Sequence, residues 1–146
     1  MQPISPIPIA RMMLGHYISS VVDLVMLEED DHIDHPQSIS EHIFEVRRTA
    51  AVWFGDWDAL QLGIEYIIST PTFDASTLVL SSEWEWEDEE IRMILMEFRR
   101  RFWPQDPPDQ TQVKAVKITE ETINQWRHRQ NQAIDETIIH RKNSEK

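Results

Sequence analysis

The sequence predicts an all-α protein: a compact bundle of about four helices around a helical hairpin at residues 39–68, with a proline-linked C-terminal helix. Apolar residues recur at helical steps across 39–68. Gly55-Asp56 interrupts that pattern with a left-handed helix stop and an N-cap residue. The segment 104–112 has three prolines and no other apolar residue, which is typical of a linker.

The chain length favours one domain with tails. With 146 residues, 40% of them hydrophobic and 27% charged, the composition is that of a globular protein. We predict a core domain at 1–103 with an extended N-terminal arm at 1–8, a linker at 104–112 and a C-terminal helical tail at 113–146. The absence of cysteine excludes disulfides, thiolate metal sites and cysteine nucleophiles.

The net charge of −12 opposes general binding to nucleic acid or anionic membranes, and favours protein partners. The start has no basic region before its apolar run, and the most apolar segment, 12–27, contains His16 and Asp23. We therefore expect neither a signal peptide nor a transmembrane helix, and a cytoplasmic protein, or one inside a virus-infected cell. Residues 113–146 hold seven Lys/Arg against five Asp/Glu, so the tail is the mildly basic part.

The prolines in residues 2–8 predict an arm that is extended without pairing to a strand. A helix follows from Ile9 to about residue 27, and it is apolar on two sides. Such a helix is either central to the core or covered by another subunit. On the second interpretation Met12 and Met26 are partner contacts.

The hairpin is predicted to begin at a capping box, Ser38 with Glu41. Each helix should bury one apolar stripe. In the first helix the stripe is Ile39, Ile43, Val46, Ala50, Trp53 and Phe54. In the second helix it is Trp57, Leu60, Ile64, Ile67 and Ile68.

Asp74 can cap a short helical turn through Leu80, with a short strand as the competing interpretation. Ser82 and Glu85 form a second capping box before a long helix to about Trp103. Its predicted buried stripe is Trp84, Ile91, Ile94, Leu95, Phe98 and Phe102. Residues 113–118 look extended, and Thr119 can cap a last helix to about residue 140.

Residues 28–35, EEDDHIDH, are the candidate metal site. His32 and His35 stand three apart with Asp31 and Asp34 between and beside them, and two imidazoles with a carboxylate are a common zinc or iron ligand set. The alternative is a solvated acidic loop that ends a helix.

Residues 81–90, SSEWEWEDEE, are the candidate protein-binding segment. Trp84 and Trp86 alternate with carboxylates, which suits a basic partner with apolar pockets. On a helix, residues two apart point in nearly opposite directions, so one of the two indoles should face away from the core. The alternative is an ordinary acidic helix start.

Two basic aromatic clusters are the candidate nucleic-acid contacts. They are Arg99, Arg100 and Arg101 before Phe102-Trp103, and Arg127 and Arg129 beside Trp126. The alternative is that arginines at a helix end complement the helix dipole and pair with nearby acids. The sequence has no G-x-S-x-G, phosphate-binding glycine loop or H-E-x-x-H motif, so we predict no enzymatic activity and no cofactor.

The run WFGDWDAL at 53–60, with residues 66–68 after it, resembles two known helix pairs over about a fifth of the chain. One is the Gly-Asp turn that joins helices in tetratricopeptide units. The other is a helix pair in the small terminase subunits of one group of tailed phages, which would imply a DNA-packaging adaptor in an oligomeric ring. In both families the spacing from Gly-Asp to Ala-Leu is longer, which rotates the second helix face by about 100°, so no functional residue is carried over.

The function predicted from the sequence is a non-catalytic protein-interaction or assembly subunit that forms a homo-oligomer or binds another protein. Its predicted contacts are the apolar first helix, the acidic tryptophan segment and a mobile C-terminal helix. The predicted partner-binding residues are Met12, Met26, Trp84, Trp86 and Trp126. The alternatives are a nucleic-acid-associated adaptor and a metal-dependent enzyme using His32 and His35.

Overall fold

The computed structural model describes residues 6–28, 41–79, 85–105 and 109–130. These residues form β1 (Ile7–Ala10), α1 (Arg11–Glu28), α2 (Glu41–Trp53), α3 (Trp57–Ile68), a 3₁₀ helix (Ala75–Val79), α4 (Asp88–Phe102), α5 (Gln110–Ala115), β2 (Val116–Thr119) and α6 (residues 123–130). The all-α prediction is confirmed, with one short two-stranded sheet added. Within these ranges no helix combines the length and apolar character that crossing a membrane requires.

The first helix, α1, is the centre of the core. It contacts α2, α3 and the 3₁₀ helix, and between Met13 and Val22 the apolar side chains on both of its sides are buried by the same chain. Side chains of α1 are described as far as Val22, and those at most 1% exposed are Met13, Leu14, Tyr17, Ile18, Val21 and Val22. Of the two interpretations of a helix apolar all round, burial in the chain's own core is therefore the one that this part of α1 supports.

The predicted hairpin is formed by α2 and α3. After α2 ends at Trp53, Gly55 has a φ of 75°, the left-handed backbone that glycine adopts without steric cost. The backbone N–H of Asp56 donates to the carbonyl oxygen of Ala51 at 2.8 Å, which closes the end of α2. The predicted break at Gly55-Asp56 is therefore confirmed.

Replacing Gly55 by Ala should lower the free energy of unfolding by about 1 kcal/mol, because a β-carbon disfavours the left-handed backbone. Apart from Gly55 and its two neighbours in the chain, no heavy atom of the described residues lies within 4 Å of a β-carbon placed there, so the cost comes from the backbone conformation alone. Urea denaturation measures it. Gly55→Asn is the control and should lose less, since Asn tolerates this conformation; equal stability of the Ala variant and the native protein would contradict the prediction.

Arg92 of α4 holds the connection that follows α3. Its guanidinium donates to the carbonyl oxygens of Ile67 at 2.6 Å and Thr70 at 3.0 Å, and also to that of Phe73. One partly buried guanidinium thus binds backbone carbonyls both at the end of α3 and in the connection after it.

The turn after this connection is the 3₁₀ helix Ala75–Val79. Asp74 caps it by accepting from the backbone N–H of Ser76 at 3.0 Å, and Asp88 of α4 accepts from that of Ala75 at 2.6 Å. The predicted helical turn is confirmed over these residues, and the competing interpretation as a strand is wrong.

The helix α4 begins later than predicted. Its N-cap is Glu87, whose backbone N–H donates to the side chain of Glu90 at 3.0 Å. Of the predicted capping box, Ser82 lies outside the described residues and Glu85 precedes the helix. The part of the predicted stripe within α4 is confirmed: Ile91, Ile94, Leu95 and Phe98 are buried, and Phe102 is half-buried.

The strands β1 and β2 pair in parallel, with Ile7 opposite Val116 and Ala10 opposite Thr119. The predicted arm without a pairing partner is therefore wrong at residues 7–8. A proline such as Pro8 is tolerated in an edge strand when its nitrogen faces away from the neighbouring strand. The extended segment predicted at 113–118 is only partly extended, because α5 continues to residue 115.

The described part of the predicted tail packs on the rest of the protein. Val113, Val116 and Trp126 belong to the same buried cluster as the side chains of α1, α3 and α4. Arg11 at the start of α1 donates to Glu120 at 2.8 Å. For residues 113–130 the structure therefore does not support a tail that moves independently, because their apolar groups are buried against the body. The division at 104–112 stays a prediction, because 106–108 and 131–146 lie outside the described residues.

Candidate functional site

The outward side of α2 exposes large apolar side chains. Trp53 is 83% exposed and Val52 55%, and Val46 is also exposed. With Thr49 they form what we call the α2 face, which consists of Val46, Thr49, Val52 and Trp53. A shallow depression of about 280 Å³ is lined by Thr49, Val52, Trp53 and the neighbouring Arg48. Contiguous apolar surface of this kind is typical of binding sites in soluble proteins.

The predicted buried stripe of α2 is wrong for Val46, Trp53 and Phe54, which are exposed, whereas Ile43 is buried as predicted. The helix packs instead through Ile43, Phe44 and Ala51. Both sides of α2 carry apolar residues at helical spacing, so the spacing alone does not determine which side is inside. The inward side of α2 is determined by its tertiary contacts. The helix packs on α1, and Phe44 packs edge to face on Phe98 of α4, with ring centroids 5.0 Å apart.

The residues predicted to bind a partner are dispersed in the structure. Met12 is 41% exposed at the start of α1, and Trp86 is half-buried against the core. Trp86 precedes α4, so the argument from opposite helix faces does not apply to it. Trp84 lies outside the described residues, and the side chain of Met26 is likewise not described. Trp126 is 1% exposed within its own chain, which corrects its assignment as a partner contact.

Asp56 links three separate parts of the chain. It is 1% exposed, and its carboxylate accepts from the Tyr17 hydroxyl at 2.7 Å and from the Trp126 indole N–H at 2.9 Å. It precedes α3 at the predicted N-cap position, but its side chain makes no capping hydrogen bond. Burial and the hydrogen bond to Asp56 raise the pKa of the Tyr17 hydroxyl, so Tyr17 stays protonated as a donor at neutral pH.

The predicted nucleic-acid contacts on α4 are engaged by carboxylates. Arg99 pairs with Glu65 at 3.3 Å, and Arg100 and Arg101 both pair with Glu97. Burial alone would raise the pKa of the Glu97 carboxyl, but the hydrogen bonds from the two arginines outweigh burial and lower it. Glu97 therefore stays ionised and holds both cations on its own helix.

The two predicted contacts on α6 differ from each other. Arg129 pairs with Glu121 at 2.6 Å and lies over the Trp126 ring at 4.8 Å. Arg127 has its guanidinium carbon 4.1 Å from the centre of the Phe54 ring. The nucleic-acid alternative stays a prediction, although four of its five arginines are paired with acids.

The predicted metal ligands, His32, His35, Asp31 and Asp34, lie outside the described residues. Among the side chains that the structure does describe, no group of three or more possible ligands is placed to hold a metal ion. The metal-dependent alternative stays a prediction.

A larger open cleft of about 630 Å³ lies beside the start of α3, lined by Ile9, Asp58, Gln61, Gln112, Trp126, Arg129 and other residues. Its wall of β1, α3, α5 and α6 is the joint between the body and the C-terminal segment. The one lining cation on α6, Arg129, is neutralised by Glu121. The cleft therefore combines polar and apolar walls without a converging set of reactive groups.

The comparisons with known proteins were negative. No protein family, curated protein or solved structure matches this chain.

Two features of this region had only weak signals in the sequence. One is Arg47, whose buried Nε has no hydrogen-bond acceptor among the described residues. It falls four residues from both Ile43 and Ala51, so the buried stripe of α2 includes a cation. The other is Asp56. The Gly-Asp turn is flanked by Phe54 and Trp57, but no residue near Asp56 in the sequence indicates that its partners are Tyr17 and Trp126.

Proposed function

We propose that this protein is a non-catalytic interaction subunit that binds a partner protein through the α2 face. The observation that carries the proposal is the 83% exposure of Trp53 at the end of a helix whose other side is already packed in the core. An indole left in water forgoes the stabilisation that its burial would give, and tryptophan is the residue type most enriched at the energetic centres of protein interfaces.

The surroundings of the α2 face suit a protein partner. Glu45 and Arg48 form an exposed ion pair at 3.2 Å on the same side of the helix, so the apolar residues have charged neighbours of both signs. An apolar centre with a polar rim is the usual anatomy of a protein interface. The net charge of −12 opposes a polyanionic partner at this surface.

The simplest partner is a second copy of the chain. A twofold pair of α2 helices would place each Trp53 against the same face of the other copy, and reciprocal Glu45 and Arg48 side chains could pair across the axis. A different protein with an apolar groove is the other form of the same proposal.

Trp53→Ala should weaken binding by about 30-fold, since truncating a central interface residue costs about 2 kcal/mol or more. Self-association is measured by sedimentation equilibrium over a wide concentration range. For a different partner, a photo-cross-linking residue at position 53 identifies the protein in extracts of the native source, and the purified protein is then titrated against the variants.

The matched control is Met96→Ala on α4, where Met96 is 55% exposed and apolar but lies on another helix. Both variants should unfold within about 0.5 kcal/mol of the native protein, because both side chains are exposed. The proposal fails if the native chain is a monomer at every concentration and position 53 cross-links no more than position 96.

A further inference from the structure

Two arginines differ from all others in the described part of the chain. Nine arginines lie there, and seven of them form an ion pair with an aspartate or glutamate. The remaining two are Arg47 and Arg127. In a protein with 26 acidic residues against 14 basic ones, an arginine without a carboxylate partner is unexpected on charge balance alone.

Both side chains are also partly withdrawn from water. The Nε atoms of Arg47 and Arg127 are buried, and neither has a hydrogen-bond acceptor among the described residues. Arg47 lies on the packed side of α2, four residues from Ile43 and four from Ala51, and burial lowers the pKa of its guanidinium. Keeping a buried donor unpaired costs stability, so such a group is a candidate for a binding role.

The contacts of Asp56 bring the neighbours of Arg127 and His16 together at the C-terminal end of α2, the helix that carries Arg47. Trp126 and Tyr17 both donate to that carboxylate, so α6 and α1 are fixed at the turn between α2 and α3. Arg127 follows Trp126 and lies on Phe54 in that turn. His16 precedes Tyr17, and the two rings pack edge to face with centroids 5.1 Å apart.

We propose that Arg47 and Arg127, with His16 beside them, bind an oxyanion group, a phosphate or a carboxylate, on a ligand of this protein. A guanidinium presents several N–H donors in one plane and binds two oxygens at once, which suits both groups. The exposed His16 supplies a further N–H donor, and both of its ring nitrogens donate once it is protonated.

The electrostatics of His16 support this arrangement. Burial lowers the pKa of His16 most, the positive charges of Arg127 and then Arg47 lower it further, and Asp56 acts in the opposite direction. This agrees with their positions in the fold, since Arg47 lies on α2 and Arg127 lies on Phe54, the residue directly after that helix. An anion bound between them should reverse their effect and raise the pKa of His16.

The test is a titration of the full chain with inorganic phosphate, in which the NMR signals of the His16 ring are the readout. The ionic strength is kept constant with chloride as the balancing anion. The ring signals, assigned with His16→Gln, should move saturably, and the pKa of His16 should rise. Arg47→Gln and Arg127→Gln should each weaken phosphate binding about tenfold or more, since each removes a charged hydrogen-bond donor.

Arg48→Gln is the matched control, because Arg48 is the next residue of α2 but pairs with Glu45 at 3.2 Å. It should leave phosphate binding unchanged. Acetate in place of phosphate separates the two ligand groups: equal binding assigns a carboxylate-sized site, and stronger phosphate binding assigns a phosphate site. The proposal is overturned if neither anion moves the His16 signals saturably, or if Arg48→Gln weakens binding as much as the other two substitutions.

A second measurement separates binding from folding. Arg47→Met should weaken phosphate binding as much as Arg47→Gln does, while raising the melting temperature by about 2 °C, because it removes a desolvated charge that has no acceptor. A lower melting temperature would show that Arg47 supports the fold, and would overturn its assignment as an unpaired ligand group.

Discussion

Asp56→Ala should lower the free energy of unfolding by about 3 kcal/mol, because it leaves two buried donors without an acceptor. The Tyr17 hydroxyl and the Trp126 indole N–H both donate to this carboxylate, which is 1% exposed. Urea denaturation measures the loss. Amide hydrogen exchange in residues 123–130 should also become faster, since α6 loses the hydrogen bond that fixes it to the hairpin.

The control for Asp56 is Asp58→Ala, two residues further on and exposed. It should change the free energy of unfolding by no more than about 0.5 kcal/mol. Asp56→Asn should fall between the two, because an amide oxygen still accepts while its NH₂ group faces other donors. If Asp56→Ala and Asp58→Ala cost the same, Asp56 does not clamp the C-terminal segment to the body.

Gly15→Ala should lower the free energy of unfolding by about 2–4 kcal/mol, although Ala is the better helix former. A β-carbon at position 15 would lie 2.5 Å from the carbonyl oxygen of Leu78, so α1 and the 3₁₀ helix would have to separate. Ser19, one turn further along α1, donates to the same carbonyl oxygen at 3.1 Å and would lose that bond. Thermal and urea unfolding measure the change.

Gly63→Ala is the matched comparison for Gly15, because both glycines are inside helices. A β-carbon at Gly63 would lie 2.6 Å from Cδ2 of Leu14, which is a side-chain atom that a rotamer change can move. The cost should therefore be smaller than at Gly15, where the obstacle is backbone. A Gly15→Ala variant at least as stable as Gly63→Ala would mean that α1 does not approach the 3₁₀ helix this closely.

Gly15 and Asp56 differ from the residues of the α2 face in what their replacement does to stability. Gly15 and Asp56 join segments distant in sequence, so their replacement damages the fold. Trp53 is exposed and contributes little to packing, and the Nε atoms of Arg47 and Arg127 have no hydrogen-bond acceptor among the described residues. Replacing any of the three should therefore change binding and leave the fold intact. Stability and binding measurements on the same variants therefore separate the two groups of residues.

The sequence was most informative where a helix has a single apolar side. In α4 the predicted stripe is buried, and its basic last turn is where the dipole argument places it. In α2 apolar residues occur on both sides, and the stripe chosen from spacing was wrong at Val46 and Trp53. Trp126 shows the same limit, since the sequence predicted it as a partner contact and the structure buries it in the core.

By itself the sequence determined the helical class, the break at Gly55-Asp56, the turn after Asp74 and the end of α4 near Pro104, because these depend on interactions within a few residues. The tertiary structure alone decided which side of α2 faces water, and it alone brought Asp56 to donors 39 and 70 residues away. Among the residues that the structure describes, it also left Arg47 and Arg127 without an ion pair, whereas the seven other arginines there pair with acids. Such pairings depend on which helix faces meet, and that is settled by packing over the whole core rather than by local preference.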